Sequence, residues 1–178
     1  MGGEILEKLI IGKNDFETWC KENNREDLLE EWNYGKNNGL KPSEIFKSGS
    51  GKKYWWKGKC GHEWDAVISS RITIRQGKTR MLKPSGCPYC SNPPKRVLVG
   101  FNDLETWCKE NQRETLLIEW DYEKNKVSPT EVTFGSGKYV WWKCSKRHEW
   151  RAQIHNRTEG SKTVLFVQEL RLHFQNRL

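Results

Sequence analysis

The sequence predicts a small α+β fold built as two tandem modules, each an N-terminal helical pair followed by a β-hairpin. Three observations predict it. Every one of the ten tryptophans has a twin: Trp19, Trp32, Trp55, Trp56 and Trp64 return as Trp107, Trp120, Trp141, Trp142 and Trp150. Such self-similarity marks a duplication. Each copy opens on a capped stretch of helical period, and each continues into aromatic runs of alternating period after a Gly-Ser-Gly turn. The 178 residues leave room for two units of about 85 residues each. The boundary is placed after the linker Asn92-Pro-Pro-Lys-Arg96, giving modules 1–96 and 97–178.

The elements follow in order. Asn14 with Glu17, and Asn102 with Glu105, fit a capping box at a helix start. Phe16, Trp19 and Cys20 then share one face. Asn23-Asn24 interrupts, and Arg25 to Trp32 reads as a second short helix with Leu28, Leu29 and Trp32 as its apolar stripe. A loop carries Pro42-Ser-Glu44 in one copy and Pro129-Thr-Glu131 in the other. Tyr54 to Lys57 is a strand. His62 to Ile68 is its hairpin partner, with Trp64, Ala66 and Ile68 alternating to one side. The first copy then inserts a basic loop, Arg71 to Lys83.

The hairpin tip carries the chemistry. Cys60-x-His62, then 24 residues, then Cys87-x-x-Cys90 supplies four soft or borderline ligands in two close pairs. Two knuckles brought together by a hairpin make a tetrahedral zinc site, and with four protein ligands no position stays open for water, so the metal is structural. One Zn2+ is expected per chain. Gly61 lets the first knuckle turn tightly and Pro88 stiffens the second. Cys20 and Cys108, beside tryptophan on an apolar face, read as core. His155 and His173 lack partner spacing and read as solvent-facing. Glu63 alternates outward beside His62 with no nucleophile near it in sequence, so no catalytic residue is assigned.

These motifs resemble a family of tandem zinc-ribbon, treble-clef-like domains found in bacterial and large-virus proteins. The resemblance rests on Trp-Trp-Lys, Cys, His-Glu-Trp and Cys-Pro-Tyr-Cys in order, preceded by Glu119-Trp-Asp-Tyr-Glu-Lys-Asn125, and runs from about residue 12 to 160. It implies zinc and nucleic acid as ligands and a nuclease as a possible partner. It marks Cys60, His62, Cys87 and Cys90 as ligands, and Cys144 and His148 as a vestigial half-site. Two departures stand out. Cys144 follows Trp-Trp-Lys at once, whereas Cys60 follows after two residues, and the second copy lacks a Cys-x-x-Cys pair.

A codon argument bears on that loss. Lys162-Thr-Val-Leu-Phe-Val-Gln-Glu169 can be encoded AAA ACT GTC CTT TTT GTT CAG GAA. Read from the third nucleotide, the same string gives Asn-Cys-Pro-Phe-Cys-Ser-Gly, the missing knuckle. Val164, Leu165 and Val167 stand at the required spacing. Residues 162–178 are therefore read as out-of-frame translation, the alternative being a genuine divergent segment.

Charge and cysteine usage bound the function. The net charge is +8 and the pI about 9.2, which points to a polyanionic partner. Arg71, Arg75, Lys78, Arg80 and Lys83, in the loop beside the zinc site, are the candidate nucleic-acid contacts. No apolar run is long enough for a membrane span, and the N-terminus is too acidic for a secretory signal. Six cysteines without such a signal point to a reducing, cytoplasmic setting. The expected function is a non-catalytic zinc module that binds nucleic acid. The alternative is a protein-interaction or scaffold module accessory to a nuclease or other enzyme. Neither takes a small-molecule substrate. DNA is not distinguished from RNA.

Overall fold

A computed structural model describes residues 8–47, 51–73, 75–76, 81–82 and 84–159. The chain divides between Cys90 and Ser91 into two compact units. In unit 1, α1 spans Phe16–Glu22 and α2 spans Asp27–Glu30, followed by a 3-10 turn at Pro42–Glu44. Antiparallel β1 (Lys53–Lys57) and β2 (Glu63–Val67) come next, then α3 (Ile68–Ile72) and the two-residue strands β3 (Arg75–Gln76) and β4 (Met81–Leu82). Unit 2 repeats the order: α4 (Leu104–Glu110), α5 (Thr115–Ile118), a 3-10 turn at Pro129–Glu131, β5 (Tyr139–Lys143), β6 (Glu149–Gln153) and α6 (Ile154–Thr158). It is a small α+β fold. No helix among the described residues is long and apolar enough to cross a membrane.

The first helix begins one residue later than the capping-box reading has it. Asp15 is the N-cap: its carboxylate accepts from the Thr18 backbone N–H at 2.9 Å and from the Thr18 hydroxyl at 2.8 Å. Glu17 instead pairs with Lys21 one turn on, at 2.7 Å. Asn14 closes the preceding turn, accepting from Ile10 N–H at 2.7 Å and donating to the Lys8 carbonyl at 3.0 Å. Unit 2 repeats both devices, with Asp103 capping onto Thr106 and Asn102 donating to the Arg96 carbonyl. That last bond ties the end of the Pro-rich linker into unit 2.

Hairpin register sets the core. Trp56 stands opposite Trp64, and Trp55 opposite Asp65. Tyr54 and Trp56 point inward while Lys53, Trp55 and Lys57 point out. Trp32 reaches the core by a backbone bridge to Trp56, because α2 stops at Glu30. Asn33 N–H then donates to Trp55 O at 3.1 Å, and Lys57 N–H to Glu31 O at 2.7 Å. The Trp32 and Trp56 rings meet edge to face at 5.3 Å and 86°, an arrangement the ring quadrupoles favour. Phe16, Cys20, Leu28, Ile45 and Ile68 complete the cluster. Unit 2 assembles Leu104, Cys108, Leu116, Trp120, Trp142 and Ile154 in the same way. Cys20 and Cys108 are fully buried, and burial pushes their thiols up to about 12 and about 11.

Two sequence expectations need correcting. Strand β2 ends at Val67, and Ile68 opens a helical turn. Its side chain is buried there at helical spacing from Arg71, and its twin Ile154 opens α6 alike. His155, read as solvent-facing, lies half-buried in α6, while His173 is outside the described residues.

Candidate metal centre

The first knuckle is the β1–β2 turn. Gly58 N–H donates to the His62 carbonyl at 3.0 Å, and Gly61 N–H to the Gly58 carbonyl at 2.9 Å. Gly61 has φ of 82°, the left-handed region that a Cβ disfavours. Gly58 sits close to the site: a Cβ there would lie 3.1 Å from Cys60 Sγ and from the Trp64 ring, so a side chain fits only if these give by a few tenths of an ångström.

The second knuckle, Cys87-Pro88-Tyr89-Cys90, is a turn with Pro88 buried. It is hung from α3. Ser85 N–H and its hydroxyl both donate to the Ser70 carbonyl, at 2.8 and 2.9 Å. Arg71 donates to the Ser85 carbonyl with one guanidinium nitrogen and pairs with Glu31 through another. The Tyr89 ring meets the His62 ring at 5.5 Å, and Cys87 and Tyr89 pack on the apolar core.

So arranged, the ligand atoms of Cys60, His62, Cys87 and Cys90 all lie within 4.8 Å of one another. His62 Nδ1 is 3.2 Å from Cys90 Sγ and 3.6 Å from Cys87 Sγ. Zinc bonds of about 2.3 Å to sulfur and about 2.0 Å to nitrogen give tetrahedral edges of roughly 3.5–3.8 Å, so donor set and spacing fit Zn2+. The thiols also feel one another. Cys90 is pushed up to about 12 by desolvation and by hydrogen bonding with Cys60 and Cys87. Cys60 is held below its usual value: desolvation opposes this, but hydrogen bonds from the His62 backbone and from Cys90 and Cys87 outweigh it. Three crowded thiols ionise together only when a cation shares their charge, which a coordinated dication does.

The candidate basic loop looks different in the structure. Arg71 is not a surface contact. Only 3% of it is exposed. Its guanidinium lies over the rings of Trp56 and Trp64, at 4.9 and 5.3 Å. Desolvation of a guanidinium is offset here by Glu31, the Ser85 carbonyl and two aromatic faces, so none of its charge is free for a phosphate. Arg75 lies in β3. Lys78, Arg80 and Lys83 are outside the described residues.

Sequence reasoning missed Arg71 as a support of the site, although the duplication carries the signal. Arg157 stands at the same place in unit 2, pairs with Glu119, and lies over Trp142 and Trp150 at 4.9 and 5.3 Å.

Cys144 and His148, the half-site expected from the sequence, lie on the matching turn of unit 2 in a different register. Cys144 N–H donates to the His148 carbonyl at 3.0 Å, and Arg147 N–H to the Cys144 carbonyl at 2.8 Å. Arg147, with φ of 63°, takes the place of Gly61. Cys144 therefore corresponds to Gly58, two positions before Cys60. Cys60, His62, Cys87 and Cys90 are the one group of three or more potential ligands close enough to share a metal among the described residues.

No curated protein matches the chain. A family profile described as a probable treble clef zinc finger domain matches residues 28–93 and 116–163. These two segments hold both hairpins and all four ligands and cover most of the chain, and the chain belongs to this treble clef zinc finger family.

Proposed function

We propose that the protein is a pair of tandem treble-clef-type modules that binds nucleic acid through a basic surface and catalyses no reaction itself. The four-ligand cluster and the family membership make it a zinc-binding module. Cys60 and His62 on one knuckle and Cys87 and Cys90 on the other would hold the ion. Bound zinc contributes folding free energy, because the four ligands come together only in the folded chain. All four donors are spent on coordination, which supports a structural role.

The net charge of +8 carries the nucleic-acid reading. Phosphate contacts release condensed counterions, so binding to mixed DNA and RNA should weaken steeply between low and moderate salt. Salt-independent binding, or none, would contradict this reading.

The second reading is a protein-interaction module serving a nuclease. Exposed Val99 and Ile118 favour it, at 67% and 79% accessible. An apolar interface would hold its affinity across the same salt series.

For residues 162–178, outside the described set, we favour out-of-frame translation. The second family match stops at residue 163, where the encoded knuckle would begin, whereas the first runs past Cys90 to residue 93. The coding sequence decides between the two readings.

A further inference from the structure

The duplication leaves one tryptophan per unit on the outer face of its hairpin, and holds it there. In unit 1 the Asn37 side chain clasps the Trp55 backbone, accepting from its N–H and donating to its carbonyl, both at 2.9 Å, while Lys36 Nζ sits 4.4 Å over the ring. In unit 2 Asn125 clasps Trp141 with two bonds of 2.8 Å and Lys124 sits at 4.7 Å. A twofold backbone clamp on an outward-facing indole adds nothing to the core, yet it fixes the ring's position.

The two faces then diverge in charge. Across from Trp55 is Asp65, which pairs with Lys53 at 2.9 Å. Across from Trp141 is Arg151, and Lys53 is replaced by Tyr139. The Arg151 guanidinium lies 5.8 Å from the Trp141 ring and 5.9 Å from the Tyr139 ring. Tyr139 and Trp141 are two residues apart on β5, hence on one face and about 7 Å apart. The carboxylates of this face are already taken: Glu149 by Lys124, and Glu123 by Lys143. Arg151 has no carboxylate within ion-pair distance among the described residues.

Building on the nucleic-acid reading above, we propose that the outer face of β5–β6 is a stacking platform for single-stranded nucleic acid. Bases lie on Tyr139 and Trp141, and Arg151 meets the backbone between them. Flat indole and phenol faces accept any base, and a guanidinium among them supplies both stacking and charge. A duplex keeps its bases stacked on each other and offers this face only phosphates. The unit without a complete zinc site would thus carry the base contacts, and the zinc-bearing unit would not.

The test uses the full zinc-loaded chain with thymidine and uridine homo-oligonucleotides and a duplex of equal length, at two salt concentrations. Arg151→Gln and Trp141→Leu should each weaken single-strand binding about tenfold or more, while Trp141→Phe retains most of it. Trp55→Leu should leave it within about twofold, since the unit 1 face has no stacked guanidinium. Zinc content and far-UV dichroism check that Trp141→Leu still folds, and exposed Arg151→Gln tests the face even if it does not. If the chain binds single strands but neither Arg151→Gln nor Trp141→Leu weakens them more than Trp55→Leu does, the platform is wrong and the nucleic-acid reading stands. Equal affinity for duplex also overturns the platform. If the chain binds neither strand form at low salt, the nucleic-acid reading itself falls.

Discussion

Arg71 shows how one side chain can serve the metal centre without touching it. It joins α3 to α2 through Glu31, to the second knuckle through the Ser85 carbonyl, and to the hairpin through two indole faces. Arg71→Ala leaves Glu31 without its partner beside a vacated slot between Trp56 and Trp64. A loss of roughly 3 kcal/mol by urea denaturation of the zinc-loaded protein is expected. Arg71→Lys should recover less than half, because an ammonium cannot fork between a carboxylate and a carbonyl or lie flat on two rings. Stability equal to wild type in Arg71→Ala would show that the contacts are incidental.

The thiols separate into classes at the same scale. Burial lifts Cys20 from 9.0 to about 12. A group whose folded pKa is raised stabilises the fold below its unfolded pKa and loses that contribution as pH climbs toward the folded value. Stability should therefore decline from about pH 9 toward pH 12, and Cys20 should resist alkylation at neutral pH while Cys144 reacts. Mass spectrometry of the alkylated protein checks the order. Early modification of Cys20 in folded protein would contradict it.

At the scale of elements, much of the fold was legible because the sequence shows its helix and hairpin signals twice. The helix starts and the hairpin pair stand in the sequence as repeated spacings, and the two knuckles stand out in the first copy as close Cys/His and Cys/Cys pairs. The misses share a cause. The capping box was read from Asn14 and Glu17, yet Asp15 beside them has the better geometry, and only the backbone turn decides which side chain meets Thr18. Asp15→Ala should cost about 1 kcal/mol, whereas Glu17→Ala, losing one exposed pair, should stay within about 0.5 kcal/mol. Thermal melts distinguish the two, and the reverse order would restore the capping box. The alternation of Trp64 and Ala66 hid the turn at Ile68, because a residue buried on the same side satisfies either reading. The burial of Arg71 was not legible from charge alone, since an arginine in a basic stretch reads as surface until its aromatic slot is built.

Knuckle register makes a further element-scale prediction. Cys144 occupies the place of Gly58, and a Cβ at Gly58 would lie 3.1 Å from Cys60 Sγ. A thiol carried at position 58 would therefore start beside the seat of the Cys60 sulfur. Cys60→Ser should lose tight zinc binding, and adding Gly58→Cys to it should regain most of it. Metal titration with a chromogenic chelator reads both, and a double variant no better than Cys60→Ser would show that the seats are not interchangeable.

For the whole molecule, the two units differ in what holds them together. Unit 1 has a cluster of four potential ligands, and among the described residues no group of three or more in unit 2 lies close enough to share a metal. Unit 2 also pays for its shorter loop. Trp32 donates to the Leu40 carbonyl at 2.9 Å, but its twin Trp120 has a buried indole N–H with no partner. The chain between Asn125 and Pro129 is one residue shorter than between Asn37 and Pro42, and Val127, which packs on this core as Leu40 does on the other, does not accept from the Trp120 indole. An unpaired buried donor costs about 1–3 kcal/mol. Unit 2 is therefore expected to be the softer half once zinc is bound.

The measurement that bears most directly on the account is zinc stoichiometry by elemental analysis, paired with amide exchange before and after chelation. The account predicts one zinc per chain. Chelation should release protection across residues 53–90 and leave that of residues 139–154 nearly unchanged. Two tightly held zincs, no zinc, or protection in residues 53–90 that survives complete metal removal would contradict it.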